Sequence, residues 1–114
     1  MKEIENIIKK IKNNNELHGI ARRLDELGRI VIPIEYRNGK VVDGETNVAI
    51  YVIRDYVVVE ILENKEENSR KIDELGRVVI KKEIREQLEW KEKDYIEMWN
   101  YDKYFILKKV ANWN

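Results

Sequence analysis

Residues 22–37 read RRLDELGRIVIPIEYR, and residues 70–85 read RKIDELGRVVIKKEIR. The two stretches align without a gap at an offset of 48 positions, and ten of their sixteen pairs are identical. A unit that occurs twice in one chain can pair with itself inside the molecule and present its side chains as a symmetric set. This duplication guides the interpretation of the rest of the chain.

Each copy carries the signals of a tight turn followed by a short strand. In residues 25–28 (DELG) the aspartate favours a turn, and Gly28 supplies the positive φ that a hairpin bulge requires. The β-branched residues 30–32 that follow predict a strand. Pro33 suits the first position of a brief helix, although the second copy has Lys81 there.

The similarity between the copies continues beyond the two quoted stretches. We expect each repeat to form strand, turn, strand, one helical turn, and then a hairpin. The sequence divides into a helix with an Asn-rich linker at residues 1–17, a first repeat at 18–62, a linker at 63–67 and a second repeat at 68–110. The predicted hairpin strands are residues 47–53 and 56–62 in the first copy, and 95–100 and 104–110 in the second.

Neither repeat is long enough to fold alone, because about 40 residues bury too little apolar surface. Two copies together can close a small barrel and hide each other's strand edges. The sequence therefore predicts a mostly β protein with short helices, in which both repeats form one pseudo-dimeric barrel.

The N-terminal segment has the pattern of an amphipathic helix. Ile4, Ile7, Ile8 and Ile11 recur at helical spacing between Lys and Glu residues, and the Asn residues 13–15 favour its end. Such a short helix is marginal alone and must pack against something. It either caps the domain, which we favour, or serves self-association or partner binding.

Composition limits the classes of function. The chain has 22 basic and 22 acidic residues, no cysteine and one histidine among its 114 residues. It therefore offers no thiolate site and little basis for a histidine-based metal or catalytic site. No apolar run approaches the length of about 20 residues that a membrane helix needs. We expect a cytoplasmic protein that is not an enzyme, has no metal or cofactor, and has no membrane partner.

The repeated motif, with its turn, glycine and flanking arginines, resembles the signature of the AbrB/SpoVT-like DNA-binding domains of bacteria. The resemblance covers residues 20–62 and again 68–110, about three quarters of the chain. It implies a swapped-hairpin β-barrel built from two tandem motifs. It also implies a bacterial transcriptional regulator that associates with the nucleoid and binds double-stranded DNA.

The resemblance also implies which residues contact DNA. The arginines that open the first strand, follow the glycine and close the helical turn are Arg22, Arg29 and Arg37, and in the second copy Arg70, Arg77 and Arg85. The position after the first arginine is also basic, as Arg23 and Lys71. The basic residue that is typical of the family after the third arginine is missing, since Asn38 and Glu86 stand there.

Local charge favours this interpretation although the whole chain is neutral. Residues 22–37 carry four basic and three acidic groups, a net charge of +1, whereas residues 70–85 carry six and three, a net charge of +3. Without the recurrence and the resemblance, we would regard the arginines as members of solvated surface ion pairs. We expect the acidic residues of the turns to stabilise the turns and orient the arginines.

A protein-interaction role is the alternative, because the family also contains antitoxins. Such proteins usually carry a long segment after the barrel that wraps the toxin, and only residues 111–114 follow the second repeat here. The sequence therefore favours DNA as the main partner. The sequence is also compatible with a homo-oligomer that forms through the barrel or through residues 4–11.

Overall fold

The computed structural model describes residues 2–14, 16–37 and 44–110. Its elements follow in the order α1 (Lys2–Asn13), β1 (Ile20–Arg23), β2 (Arg29–Val31), α2 (Ile34–Arg37), β3 (Asn47–Ile53), β4 (Tyr56–Leu62), β5 (Arg70–Lys71), β6 (Arg77–Val79), α3 (Lys82–Leu88), β7 (Tyr95–Tyr101) and β8 (Tyr104–Lys109). The prediction of a mostly β chain with short helices is confirmed. The second hairpin differs from the prediction by one residue at two strand ends.

The strands form two antiparallel sheets. A curled six-stranded sheet, which makes half of a barrel, has the order β1-β7-β8-β4-β3-β5, and β2 pairs with β6 in a two-stranded sheet. Among the strands of the described residues, only the hairpins β3–β4 and β7–β8 pair strands of the same repeat. The pairs β1–β7, β3–β5, β4–β8 and β2–β6 each join one repeat to the other. Both sheets therefore depend on both repeats.

The main core takes equivalent residues from the two repeats. Tyr36 and Ile84, which occupy one repeat position, both pack against it, and the Tyr36 hydroxyl donates to the Met98 carbonyl at 2.9 Å. Trp90 is buried in it with 4% of its surface exposed. The buried members are Leu24, Ile30, Ile32, Val48, Val57, Val59, Ile72, Val78, Ile80, Trp90, Ile96, Met98, Phe105 and Leu107.

Helix α1 contributes to a second core. Its four isoleucines are buried and pack with Tyr56, Val58, Trp99, Tyr104 and Ile106. Because side chains alternate along a strand, Val58 and Ile106 lie on the face opposite to Val57 and Leu107 of the main core. The amphipathic helix that the sequence predicts is therefore present, and its apolar side is covered by the chain's own sheet.

Two polar contacts hold α1 and the segment after it in place. Arg54, at the β3–β4 turn, donates to the Glu5 carboxylate at 2.8 Å. The Trp99 indole Nε1 donates to the Leu17 carbonyl at 3.1 Å. No helix in the described ranges has the length and apolar character needed to cross a membrane.

Most aromatic residues of the C-terminal half are buried or partly buried. Trp90, Trp99, Tyr104 and Phe105 are buried, and Tyr95 and Tyr101 are partly buried. Trp113 lies outside the described residues.

Candidate functional site

The two DELG turns are closed by the same aspartate contacts. Asp25 Oδ1 accepts hydrogen bonds from the backbone amides of Leu27 at 2.9 Å and Arg29 at 2.8 Å, and Oδ2 accepts from Arg29 Nε at 2.6 Å. The second copy repeats these three contacts with Asp73, Leu75 and Arg77. The prediction that the acidic residues of the turns stabilise the turns and orient arginines is confirmed for the two aspartates, whereas Glu26 and Glu74 are exposed at the turn tips.

The same contacts determine the titration of the two carboxyl groups. Burial alone would raise the pKa of Asp25, but the hydrogen bonds from Arg29 and Leu27 outweigh it and lower that pKa below its usual value. The pKa of Asp73 is lowered by the same balance, with Arg77 and Leu75 as donors. Both carboxylates are therefore ionised at neutral pH.

The third arginine of each copy packs on the glycine of the other copy. Arg37 Nε donates to the carbonyl of Ile32 at 3.1 Å. A Cβ at Gly76 would lie 2.6 Å from the Arg37 Cζ, and Gly76 has a φ of +81°. Only glycine allows both this backbone conformation and the close guanidinium. The equivalent contacts in the other half involve Arg85, Ile80 and Gly28.

The β2–β6 sheet presents the second arginine of each copy on its outward side. Arg29 lies opposite Val79, and Arg77 lies opposite Val31. The intervening Ile30 and Val78 are buried in the main core, so alternation directs their neighbours outward. Backbone hydrogen bonds of 2.8 Å extend this ribbon to the glycine of each turn. We call its four arginines the arginine ribbon: Arg29, Arg37, Arg77 and Arg85.

All four guanidinium groups are held in the same way. Each uses its Nε in a hydrogen bond to an aspartate or a backbone carbonyl, at 2.6 to 3.1 Å. Their terminal Nη nitrogens form no hydrogen bond to any residue of the described ranges, 2–14, 16–37 and 44–110. Oriented arginines with available terminal nitrogens suit planar, two-pronged recognition of an anion.

The other four predicted residues lie on the two edge strands of the larger sheet, outside the two-stranded sheet. Arg22 Nη2 lies 3.9 Å from the Glu35 carboxylate, and Arg23 stacks over the Tyr95 ring at 5.1 Å from its centroid. Arg70 and Lys71 are exposed on β5 at the opposite edge.

Strand alternation also separates the neighbours in each pair. Arg22 and Arg23 point to opposite faces of the sheet, and so do Arg70 and Lys71. Lys71 Nζ contacts the Glu45 carboxylate at 3.2 Å. The structure therefore places four of the eight predicted residues on the two-stranded sheet or over the glycines at its ends. Of the two positions after the third arginine, Glu86 is exposed and Asn38 lies outside the described residues.

Sequence reasoning missed the apolar residues exposed around the ribbon. Leu27 and Leu75, at the two turn tips, are 60% and 63% exposed, and Ile34, at the start of α2, is 60% exposed. Both turns have leucine at this position, whereas equivalent core positions differ between the two copies, as Leu24 and Ile72 do. An identical apolar residue inside a polar turn is the signal that would have revealed them.

The described ranges contain no group of three or more His, Cys, Asp or Glu side chains that would hold a metal ion. Around α3 and the ribbon, a surface pocket of about 310 Å³ is lined by Lys82, Arg85, Glu86, Glu89, Trp90 and Lys91.

In comparisons with known proteins, no family model, no curated protein and no solved structure matches this chain.

Proposed function

We propose that this protein binds double-stranded DNA through the arginine ribbon and acts as a bacterial transcriptional regulator. The observation that carries the proposal is the matched set of four guanidinium groups, each held through Nε, along a two-stranded sheet and at its two ends. Arginine binds phosphate or guanine with two parallel hydrogen bonds. Groups that are already oriented lose less side-chain freedom on binding.

The shape of this surface also supports DNA as the partner. The major groove of B-DNA is about 12 Å wide and admits a two-stranded β-ribbon. The β2–β6 ribbon has Arg29 and Arg77 on its outward side, and Arg37 and Arg85 lie over the glycines at its two ends. In this proposal, phosphate contacts set the position of the protein, and few base contacts contribute to sequence preference.

We further propose that the fold is the swapped-hairpin barrel of the AbrB/SpoVT-like domains, formed here by two tandem repeats within one chain. The pairing of β1 with β7, of β3 with β5 and of β2 with β6 supports this, because each pair takes one strand from each repeat. The arginine and glycine contacts between the copies support it in the same way.

The test is a gel-shift titration over a series of salt concentrations. Each phosphate contact contributes about 0.9 to the slope of log K against log salt, so the Arg29→Ala/Arg77→Ala variant should lower the slope by about 2 and abolish detectable binding at physiological salt. Arg54→Ala is the matched control, because this arginine lies at the β3–β4 turn beside α1. Circular dichroism checks that each variant is folded.

A flat salt response of the parent protein would refute the proposal. Unchanged affinity of the double variant would refute the assignment of the ribbon as the site.

A protein partner is the second candidate, and the exposed Leu27, Ile34 and Leu75 favour it. Apolar residues beside arginines also occur at protein interfaces. This candidate predicts that a stoichiometric protein co-purifies with the chain and is lost from a Leu27→Ser/Leu75→Ser variant. DNA binding that persists in that variant, without any co-purifying protein, would exclude it.

A further inference from the structure

The first residues of α2 and α3 occupy equivalent places and carry opposite chemistry. Ile34 and Lys82 are related by the 48-residue offset, and both are exposed. The arginines that close the same helical turns are anchored alike, Arg37 at 3.1 Å and Arg85 at 2.9 Å from a backbone carbonyl. One end of the arginine ribbon therefore presents an apolar side chain where the other presents a cation.

Charge increases the difference between the two ends. Each end combines the helix of one copy with the turn of the other, and Lys81 and Lys82 at the α3 end replace Pro33 and Ile34 at the α2 end, which gives the α3 end two more positive charges. The α3 end therefore has the stronger attraction for phosphates.

Resting on the DNA binding proposed above, we propose that this chain recognises a duplex with two unlike half-sites and binds it in one orientation. Ile34 suits contact with a thymine methyl group, whereas Lys82 suits a phosphate or a guanine edge. Two identical subunits would present two identical ends and match a palindrome. A single chain with two unequal repeats presents two different ends, so its binding site need not be a palindrome.

The expected size of the effect follows from the same chemistry. One additional phosphate contact makes the affinity fall by a further factor of roughly 3.5 between 50 and 200 mM salt, since the slope per contact is about 0.9. One good base contact discriminates against the wrong base by roughly fivefold or more. We therefore expect the preferred orientation to be favoured at least fivefold over the reverse.

The chain contains no cysteine, so a thiol can be introduced at one chosen site. Glu26→Cys and Glu74→Cys place it at the exposed tip of either turn. The register and a rise of about 3.3 Å per residue put the tips roughly 20 Å apart along the ribbon. Duplexes are selected from a randomised library with the full parent chain, and each variant then carries iron–EDTA to cleave the selected DNA.

We expect a non-palindromic consensus, with cleavage at one end of the site by the first conjugate and at the other end by the second. A palindromic consensus, or equal cleavage at both ends by each conjugate, would overturn the inference and leave DNA binding intact. Failure to select any duplex would overturn the proposed function itself, and the inference with it.

The Ile34→Lys/Lys82→Ile variant keeps the composition and net charge of the parent. It is expected to lose the orientation preference on the parent's selected duplex, with cleavage by each conjugate appearing at both ends. A cleavage pattern identical to that of the parent would show that positions 34 and 82 do not set the orientation, and would overturn their assignment. Thermal unfolding confirms that the exchange leaves the fold intact.

Discussion

Replacing Gly76 with alanine tests the contact between the two repeats most directly. Gly76 has a φ of +81°, and a Cβ added to it would lie 2.6 Å from the Arg37 Cζ. Carbon atoms in contact normally lie about 3.5 to 4.0 Å apart. The guanidinium of the first repeat must therefore move by about 1 Å before the second repeat can accept a methyl group.

Two costs and one gain determine the magnitude. A left-handed backbone costs an alanine about 1–2 kcal/mol. Displacing Arg37 weakens its hydrogen bond to the Ile32 carbonyl, a loss of about 1 kcal/mol for a partly exposed group. Alanine also restricts the unfolded chain, which returns about 0.5 kcal/mol. Gly76→Ala should therefore lower the free energy of unfolding by about 2 kcal/mol.

Urea titration of four proteins measures the coupling: the parent, Gly76→Ala, Arg37→Ala and the double variant. Arg37→Ala alone loses the same hydrogen bond and removes the obstacle to the methyl group. The double variant should therefore be about 1 kcal/mol more stable than the sum of the single changes implies. Gly44→Ala is the control, because its added Cβ would approach no atom of the described residues closer than 3.6 Å and its φ is not positive.

Additivity of Gly76→Ala and Arg37→Ala within about 0.3 kcal/mol would refute the packing of this arginine on this glycine. A loss of stability in Gly44→Ala as large as that in Gly76→Ala would refute the explanation based on backbone conformation and close contact.

Three further changes test other contacts. The folded-state pKa values of Asp25 and Asp73 are lowered, so the stabilisation from these carboxylates is complete above the unfolded pKa of about 3.9 and is lost as pH falls through the folded values. The Asp25→Asn/Asp73→Asn variant should therefore lose less stability between pH 5 and pH 3 than the parent. Equal losses of the two proteins in urea titrations would contradict this. Ile8→Ala should lower the free energy of unfolding by about 2–5 kcal/mol, because Ile8 is fully buried; the exposed neighbour change Lys9→Ala should stay within about 0.5 kcal/mol, and equally small effects would mean that α1 does not pack on the sheet. Tyr36→Phe removes a hydrogen bond to a β7 carbonyl and should cost about 1 kcal/mol, whereas an unchanged urea midpoint would show that this bond adds no stability.

Local signals were sufficient to predict most of the secondary structure. The turn before each short strand follows from aspartate and glycine chemistry, and the hairpin ends at Arg54 and Asp102 follow from two-residue turns between apolar runs. Both residues adopt positive φ, at 58° and 53°. The stripe of isoleucines likewise predicted α1, which ends at Asn13, the first of the Asn residues expected to end it. Each of these features depends on neighbours in the sequence.

The remaining features depend on residues that are far apart in the chain. The motif identifies Arg37 and Gly76 as repeated residues, but only the pairing of β2 with β6 brings one over the other. The burial of Trp90 and the stacking of Arg23 on Tyr95 also follow from neighbouring elements that no local pattern specifies. For the same reason, the sequence did not separate the four arginines of the ribbon from the four basic residues on the edge strands.

The exchange of strands between the repeats has a consequence for synthesis of the chain. Partners in β1 and β7 are 72 to 78 residues apart, from Arg23–Tyr95 to Ile20–Met98. At a translation rate of about 5–20 residues per second, β1 leaves the ribosome roughly 4 to 15 seconds before its partner. The β3–β4 hairpin can form during that time, whereas β1 waits with an unpaired edge.

An unpaired edge on a nascent chain can pair with a neighbouring nascent copy on the same messenger RNA. Strand β1 has only four residues, and two of them are Arg22 and Arg23. Short length and positive charge are both features that disfavour pairing between strand edges. By this physical argument, the two arginines at the start of the motif make β1 a poor template for pairing with another chain during that interval.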